Sequence, residues 1–526
     1  MRFFLVLIII FFSLPSCKAS DSFPPETGNI PEAKPAYKKL IAINPKLEAE
    51  LELPNLYMSS RDAVSAQTFY EPIYSEANNE KARQAFLNKL LYYPSSNLDA
   101  KIRLGYIEIN KGEFQKAREI FQQVLAQDPN YKLAKMGIVH SYMANNDSFK
   151  ALDALHQLPE DEDVAYTRAR VYYSLGMLSD AKSQIKGSVS KNANELKYKI
   201  KEHEAITVTT SYSLLLQQLA DNYKLDINEM GIAVSQNIEG NRKVFLEYNM
   251  YVYSSGQSDV GKLNNVTNEF RMGTQARPHE KLEYKLDAGV KGFEFGGALA
   301  NTDSWVKYYF SDKLNAKFGF SRNNVEQSYL SAVGRPINGI FTGRDIDNKT
   351  YLEFGAKYAH QYYSFGHAGY GVITGVNMPT NQYMEGMLGF GKVLYNNADN
   401  KWVNMISADV VSYNASYQYN LPDVKDNAGT LFGGYFSPGF YTADTFNLKA
   451  EGTIKKWHLK YGLIGFFGGQ VAITPNMVTP TGGVSPYVTY NFNDHIAFNA
   501  AFNYFDYADV QRYQAIFSLV IRGFRK

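Results

Sequence analysis

Short segments that alternate apolar and polar residues fill the chain from about residue 231 to residue 526. The clearest case is residues 282–290, where Leu286 falls on one face of a strand and Asp287 on the other. A period of two indicates strands whose two faces meet different surroundings. Many such strands, with aromatic residues throughout and no buried-helix segments between them, predict a closed antiparallel β-barrel with lipid outside and water inside.

Further alternating segments cover residues 244–253, 314–321, 352–359 and 495–504. We count roughly 14 to 17 candidate strands and expect 16, because single-chain bacterial barrels have even strand numbers. Barrels of about 16 to 18 strands leave an aqueous channel. The candidate channel-lining residues are Glu247, Glu283, Lys285, Asp287, Lys317, Glu353, Lys357, Arg335, Arg344 and Tyr435.

The candidate lumen residues form two groups, the charged residues of the strands and the three residues Arg335, Arg344 and Tyr435. The acidic and basic residues of the strands have mixed signs, so the lumen would favour neither cations nor anions. This suits a neutral solute, which needs weak repeated contacts to pass, but a wide porin would show the same mixture. Arg335 and Arg344 either line a constriction or lie in a solvated extracellular loop, and Tyr435 either faces the lumen or packs at a strand start.

Upstream of the barrel the period changes to that of helices, in residues 59–191. The spacing matches a tetratricopeptide repeat, in which small residues let paired helices approach and an aromatic residue fills the space between them. A step of 12 residues recurs in four places, which favours a helical repeat array over an unrelated helical bundle. In chain order, the pairs are Tyr70 and Ala82, Gly105 and Ala117, Val139 and Ala151, and Ala169 and Ala181. Such arrays bind partners along a concave face. The expected packing residues are Leu104, Gly105, Ala117, Phe121, Pro129, Ala151, Ala169 and Ala181.

Residues 192–228 connect the two halves and are predicted to be a helical linker. Residues 212–225 have a leucine stripe at helical spacing, formed by Leu215, Leu216 and Leu219. Such a helix would pack under the barrel or partly plug it. The barrel itself is then expected at residues 229–526.

Residues 1–19 have the pattern of a secretory signal, with Arg2 followed by an apolar run that ends at Leu14. The single cysteine, Cys17, excludes an intrachain disulfide. Two processing routes fit: a lipoprotein signal that makes Cys17 a lipidated N-terminus, or cleavage after Ala19 that removes it. Residues 20–58 are rich in proline, glutamate and lysine and are read as a linker.

The composition argues against several classes of function. The 526 residues carry 54 Lys and Arg against 52 Asp and Glu, so no basic excess would attract nucleic acid. The 40 tyrosines suit a membrane interface, where an apolar ring and a wet hydroxyl are both accommodated. Eight histidines are scattered, and the adjacent Asp494 and His495 would point to opposite faces of a strand. We therefore expect no catalytic residue, no metal and no cofactor.

Two stretches of the barrel region carry distinctive motifs. Residues 328–334 read Ser-Tyr-Leu-Ser-Ala-Val-Gly and continue through Gly339 and Gly343 to Asn348, and residues 433–438 read Gly-Gly-Tyr-Phe-Ser-Pro. Both resemble the C-terminal domain of the cellulose synthase operon protein C family, and the order of signal, repeats and barrel is also similar over about residues 60–526. Family members often have many more than four repeats, which leaves the partner open. Poly-N-acetylglucosamine exporters share the architecture, so another polysaccharide is also open.

The resemblance implies an outer-membrane channel that exports an exopolysaccharide, a cellulose-like β-glucan first of all. Its repeats would lie in the periplasm. The implied partners are the polysaccharide chain, outer-membrane lipid and periplasmic or inner-membrane polysaccharide synthase components. The alternatives are a diffusion porin or uptake channel with a periplasmic adaptor, and a barrel hydrolase.

Overall fold

The computed structural model describes residues 97–523, with gaps at 220–222, 256–262, 295, 328, 338–339, 359–360, 398–399, 401, 420–423, 426–430, 433–436, 473–476 and 508–509. The expected signal with Cys17, the linker, the first repeat and Tyr435 lie outside the described residues. The chain divides into two compact units at Gly137. The first seven described helices are α1 (Asn97–Asn110), α2 (Phe114–Leu125), α3 (Lys132–Ala144), α4 (Ser148–His156), α5 (Glu162–Ser174), α6 (Leu178–Gln184) and α7 (Lys191–His203).

The first unit contains the helical hairpin α1–α2, whose core is the ring of Phe121. This ring is fully buried. A Cβ atom at either Gly105 or Gly137 would overlap it, so both positions need glycine for the helices to approach the ring. Leu104 and Ala117 are buried in the same hairpin. Pro129 lies in the turn after α2, which has already ended at Leu125.

In the second unit, the alanines at the predicted helix crossings are buried: Ala151 in α4, Ala169 in α5 and Ala181 in α6 have no exposed surface. Asp161 caps α5 by accepting hydrogen bonds from the backbone N–H groups of Asp163 and Val164, both at 3.0 Å. The helix α7 then covers the last hairpin, because its apolar face joins the core around Ala169 and Ala181.

A closed antiparallel barrel of 16 strands forms the rest of the second unit. Closure is made by the first and last strands, which pair from Thr207 opposite Arg522 to Leu219 opposite Val510. The wall strands are β1 (Thr207–Leu219), β2 (Tyr223–Ile238), β3 (Arg242–Ser255), β4 (Leu263–His279), β5 (Leu282–Phe293), β6 (Ala298–Ser311), β7 (Leu314–Asn324), β8 (Ile340–Lys357), β9 (Tyr362–Val376), β10 (Asn381–Asn396), β11 (Met405–Tyr417), β12 (Tyr441–Ile454), β13 (Leu459–Ala472), β14 (Met477–Asn491), β15 (Ile496–Tyr507) and β16 (Val510–Arg522).

The prediction of a helix at residues 212–225 is wrong, and the barrel begins before residue 229. The helix α7 ends at His203, and the following residues form β1 and the start of β2. In β1, Leu215 is buried while Leu216 is 41% exposed, as expected for neighbours on opposite faces of a strand. The leucine run fits the period of a helix as well as that of a strand. It forms a strand because it pairs with β2 and β16.

The two faces of the wall differ as the alternation predicts. On β5, Leu286 and Val290 are each 53% exposed on the outer face, whereas Asp287 is 8% exposed on the inner face. Large apolar side chains likewise cover the outside of the other strands, which is the surface of a membrane-spanning barrel. Within the part of the chain that the structure describes, the helices are too short or too polar to cross a membrane.

The two rims of the barrel also differ. Strands β2 and β3, β4 and β5, and β6 and β7 are joined at one rim by short turns, and we call this rim the turn end. The opposite rim, the loop end, has the two longest connections, residues 325–339 between β7 and β8 and residues 418–440 between β11 and β12. Two exposed tryptophans, Trp402 and Trp457, lie together at the turn end with ring centroids 6.5 Å apart. Exposed aromatic pairs of this kind mark the membrane interface of barrels.

Residues 325–327 and 329–337, here called the insert, fold into the lumen at the loop end. The insert contains a short fully buried helix, α8 (Tyr329–Val333). Tyr329, Ala332 and Val333 pack against lumen-facing side chains of the wall between β1 and β6. The wall residues in this cluster are Leu215, Leu225, Ile227, Tyr251, Tyr253, Phe293 and Leu299.

Candidate functional site

The structure places the predicted charged residues of the strands on the lumen side of the wall. On β5 the registers of Glu283, Lys285 and Asp287 alternate with the lipid-facing residues. Glu247 on β3, Lys317 on β7 and Glu353 on β8 have the same inward register, and Lys357 follows it at the turn end, where it is exposed. The lumen is therefore the candidate functional site.

Most of these charges are paired with charges on neighbouring strands. The carboxylate of Asp287 lies 2.8 Å from the Lys285 ammonium and 3.1 Å from the guanidinium of Arg271. Lys285 also contacts Asp303 at 3.2 Å. On the adjoining wall, Lys317 lies 2.7 Å from Glu353. The opposite charges of these ion pairs cancel each other's electric fields, so this wall presents little net charge to a solute.

A second ionic cluster is centred on Glu385 of β10, which the sequence analysis missed. Its carboxylate accepts a hydrogen bond from Lys349 at 3.2 Å and from the hydroxyl of Tyr413 at 2.9 Å. The imidazole of His367 lies 2.8 Å from it. Alternation along β10 predicts that Glu385 points into the lumen. Its partners on β8, β9 and β11 follow only from the register of the closed barrel.

Arg344 of β8 joins the insert to the barrel rim, because its guanidinium donates to the carbonyl of Val333 in the insert at 3.4 Å. Its guanidinium lies over the rings of Phe293 and Phe341, at 4.2 and 4.8 Å from their centroids, and donates to the carbonyl of Gly296 at 2.7 Å. Such stacking on aromatic faces is typical of guanidinium groups. Arg335 is half-buried in a short strand that pairs with the start of β8. Arg335 is thus part of the insert, and Arg344 lies in β8 shortly after the insert ends.

The insert is fixed to the wall by an ion pair as well as by apolar packing. The ammonium of Lys291, which is 2% exposed, lies 2.8 Å from Glu326 and donates to the hydroxyl of Tyr253 at 2.6 Å. The carbonyl of Gln327 accepts a hydrogen bond from the side chain of Gln217 at 2.5 Å. The insert therefore narrows the lumen on the side of β1 to β6.

Opposite the insert, the wall leaves a cavity of about 560 Å³ that is lined by aromatic side chains. Tyr413 and Tyr441 meet edge to face with centroids 6.0 Å apart, and Phe466 and Phe505 stack at 5.8 Å. Tyr417 also lines this space, which we call the aromatic cavity. Gln327 of the insert forms its opposite side, so the passage through the lumen runs between the insert and aromatic rings.

Hydrogen bonds fix the orientation of these tyrosines. Tyr413 donates to Glu385, and the hydroxyl of Tyr441 donates to the side chain of Gln470 at 2.8 Å. Tyr417 stacks on Tyr383 with centroids 5.0 Å apart. The rings are therefore pre-positioned, and a ligand would not need to order them.

At the turn end, the helices of the second unit are docked on the strand turns. The β6–β7 turn contributes Asp312, whose carboxylate accepts from the backbone N–H of Phe149 at 2.8 Å. The rings of Phe149 and Tyr309 pack edge to face at 6.4 Å. Lys313 of the same turn lies 3.6 Å from Asp147. The β6–β7 turn thus holds the start of α4 through polar and apolar contacts together.

A further turn and the end of β4 hold the later helices. In the β2–β3 turn, Asn241 accepts from the backbone N–H of Ser179 at 2.8 Å and donates to Asp180 at 2.6 Å. Near the end of β4, Arg277 donates to the carbonyl of Leu175 at 2.9 Å. Two barrel turns and the end of β4 therefore fix the last repeats to the rim.

The docked helices leave an open groove of about 620 Å³ between α3, α5 and α7. It is lined by polar and charged side chains, among them His140, Tyr166, Arg170 and Lys199. Burial, together with the nearby Arg170 charge, lowers the pKa of His140. Repeat arrays bind partners along a concave face, so this groove is the candidate partner-binding surface of the repeats.

Within the described residues, no group of three or more metal-ligating side chains comes together. Comparison with protein-family models matches residues 108–163 to the tetratricopeptide repeat family. Comparison with curated proteins gives no match.

Three solved structures are similar in parts of the chain. A bacterial polysaccharide outer membrane secretin is 11% identical, with 61% of this chain and 99% of that chain covered and a TM-score of 0.46. Pseudomonas aeruginosa OccK7 is 7% identical, covering 61% and 99%, with a TM-score of 0.33. A tetratricopeptide repeat protein from Parabacteroides merdae is 12% identical, covering 33% and 78%, with a TM-score of 0.22.

The matched repeat family and the closed wall together establish the architecture of this chain. The chain carries tetratricopeptide repeats in front of a 16-stranded β-barrel of the outer-membrane kind.

Proposed function

We propose that the protein is an outer-membrane channel that exports an exopolysaccharide, a cellulose-like β-glucan first of all. The observation that carries the proposal is the docking of the repeats on the turn end, through Asp312, Asn241 and Arg277. A channel that only admits small solutes has no need of a partner-binding array fixed at its mouth. An exporter that receives a growing chain from a synthase does need one.

The orientation follows from the same rim. Short turns are the periplasmic side of bacterial barrels and long loops the outer side. The repeats would then lie in the periplasm, with their groove open to a periplasmic or inner-membrane synthase component. The groove residues Arg170 and Lys199 offer cationic donors for such a protein partner.

The lumen is compatible with a neutral glycan. Its charges are paired along the wall, as at Asp287 and Glu385, and the aromatic cavity offers ring faces. Transit requires contacts that are repeated and weak. We further propose that the barrel acts without catalysis and that His367, Glu385 and Lys349 serve as one ionic cluster that braces the wall.

The alternative is a diffusion or uptake channel with an adaptor, and one observation favours it. The insert narrows the lumen, as expected for a channel that selects small solutes by size, and Lys291 and Glu326 hold it in place. Uptake of small saccharides would then depend on this chain while surface polysaccharide would not.

Deletion of the gene and its complementation separate these functions. The export proposal predicts that surface β-glucan, measured by dye binding and by glucanase release, is lost on deletion and restored by the full chain. Unchanged surface polysaccharide would contradict it. Reduced uptake of small saccharides in the same strain would support the alternative.

A further inference from the structure

We propose that the aromatic cavity is a binding subsite for a short stretch of an uncharged β-linked pyranose chain. This inference rests on the proposed export function and adds the place and the chemistry of one contact. The cavity volume of about 560 Å³ lies within the range of roughly 300–1,000 Å³ found for small-ligand sites.

The aromatic rings carry the first part of the inference. Tyr413, Tyr441, Phe466 and Phe505 come from four different strands, yet their rings face one space. The axial C–H groups of a β-linked pyranose make its two faces apolar, and aromatic rings provide the matching flat surface. Two ring pairs at separate positions let a sugar ring leave one pair as it meets the next.

The distribution of charge carries the second part. Among the described residues that line the cavity, Arg512 of β16 is the one with a charge, and it interacts electrostatically with Glu326 of the insert. Glu385, which orients Tyr413, is already paired with Lys349 and His367. A basic sugar chain would meet a like charge here in Arg512, and an acidic one would have to compete with Glu326 for that guanidinium.

Polar groups at the cavity edge supply the third part. Thr445 and Asn447 of β12 line it beside the rings, and Asn447 is held by a hydrogen bond of 2.6 Å to Asp409. On the opposite side, Gln217 and Gln327 are joined by a hydrogen bond. Sugar hydroxyls project at the ring edges, so a saccharide lying on the aromatic faces would direct them toward these amides and hydroxyls.

The test measures block of single-channel current by saccharides in planar bilayers that contain the full chain. Cellohexaose is the neutral probe, and galacturonic acid and chitosan oligomers of the same length are the acidic and basic probes. We expect cellohexaose to interrupt the current at lower concentration than either charged probe. Absence of block by cellohexaose, or tighter block by a charged oligomer, would overturn the inference.

The variant Tyr441→Leu/Phe466→Leu removes two rings and keeps apolar side chains. We expect its dissociation constant for cellohexaose to rise about ten-fold, which corresponds to about 1.4 kcal/mol. The matched control is Tyr487→Leu, which removes a lumen tyrosine bonded to Glu451 outside the cavity. Heat-modifiable migration and unchanged open-channel conductance confirm that each variant is folded.

Equal affinity of the two variants for cellohexaose contradicts the subsite. If gene deletion abolishes surface glucan in spite of equal affinities, the export proposal stands and the subsite falls. If the double variant binds more weakly while deletion leaves surface glucan unchanged, the subsite stands and the export proposal falls.

Discussion

The carboxylate of Asp312, in the turn between β6 and β7, accepts a hydrogen bond from the backbone N–H of Phe149 at 2.8 Å. Phe149 is in the first turn of α4, where the helix's own N-cap residue, Asp147, makes no side-chain capping bond. The barrel therefore supplies the cap for a repeat helix 163 residues away in sequence. Folding of α4 and docking on the rim are thereby coupled.

Replacing Asp312 with alanine should loosen α4. Loss of a capping side chain destabilises a helix by about 0.5–2 kcal/mol, so we expect faster hydrogen exchange in the first turn of α4 and unchanged exchange in the barrel. Asp312→Asn keeps an acceptor and should show a smaller change. The control Asp494→Ala alters an exposed carboxylate in another turn. Equal exchange in Asp312→Ala and the control would contradict the coupling.

Acidification should weaken the docking of α7. Burial, and secondarily the charge of Arg522, lower the pKa of His203, whose ring packs against Tyr173 and whose carbonyl accepts from Asn237. The unfolded helix then binds more protons than the docked one between the lowered pKa and the usual value of about 6.5. Stability therefore falls as pH falls through this window and is fully present above it.

The measurement is hydrogen exchange of α7 amides between pH 7.5 and pH 5.5, corrected for intrinsic rates. His203→Gln should flatten the pH dependence, whereas replacement of the exposed His156 by glutamine should leave it intact. A pH profile unchanged by His203→Gln would contradict this role of the imidazole.

Removal of the Glu326 charge should release the insert. Lys291 is 2% exposed and packs against Tyr253, so loss of the Glu326 charge leaves a buried ammonium without its carboxylate and is destabilising, although Glu326 itself keeps 34% of its side chain exposed. We expect Glu326→Gln to raise single-channel conductance and its fluctuations. Lys291→Met/Glu326→Met should restore much of the lower conductance and smaller fluctuations of the unaltered channel, because no buried charge is left unpaired.

The control for this prediction is Glu451→Gln, which alters a lumen carboxylate near the turn end that lies 3.2 Å from Lys449. It should leave the fluctuations unchanged. Equal conductance and noise in Glu326→Gln and in the unaltered channel would show that the ion pair does not hold the insert.

Local alternation was enough to predict the barrel and the lumen register of residues such as Asp287 and Glu353, and the even-number rule for bacterial barrels selected 16 among the 14 to 17 candidate strands. The spacing of Gly105 and Phe121 was enough to predict a repeat hairpin, because their contact lies within it. The prediction failed at Leu215 and Leu216, whose run fits a helix as well as a strand until β16 closes the wall.

Contacts between distant segments could not be predicted. The aromatic cavity joins Tyr413 to Phe505 across the barrel register, and the docking joins Phe149 to Asp312. No local period carries that information. The direction of the insert, with Tyr329 buried inside the lumen, depends likewise on apolar wall residues of five strands that only closure brings together.

Passage of a glycan through the lumen is tested most directly by filling the aromatic cavity. Ala443 of β12 lines the cavity and is 5% exposed, and Ala450 lies on the lipid-facing register of the same strand. In cells with equal amounts of heat-modifiable barrel, Ala443→Trp should abolish surface β-glucan and Ala450→Trp should retain it. Equal surface β-glucan in the two strains would contradict export through this channel.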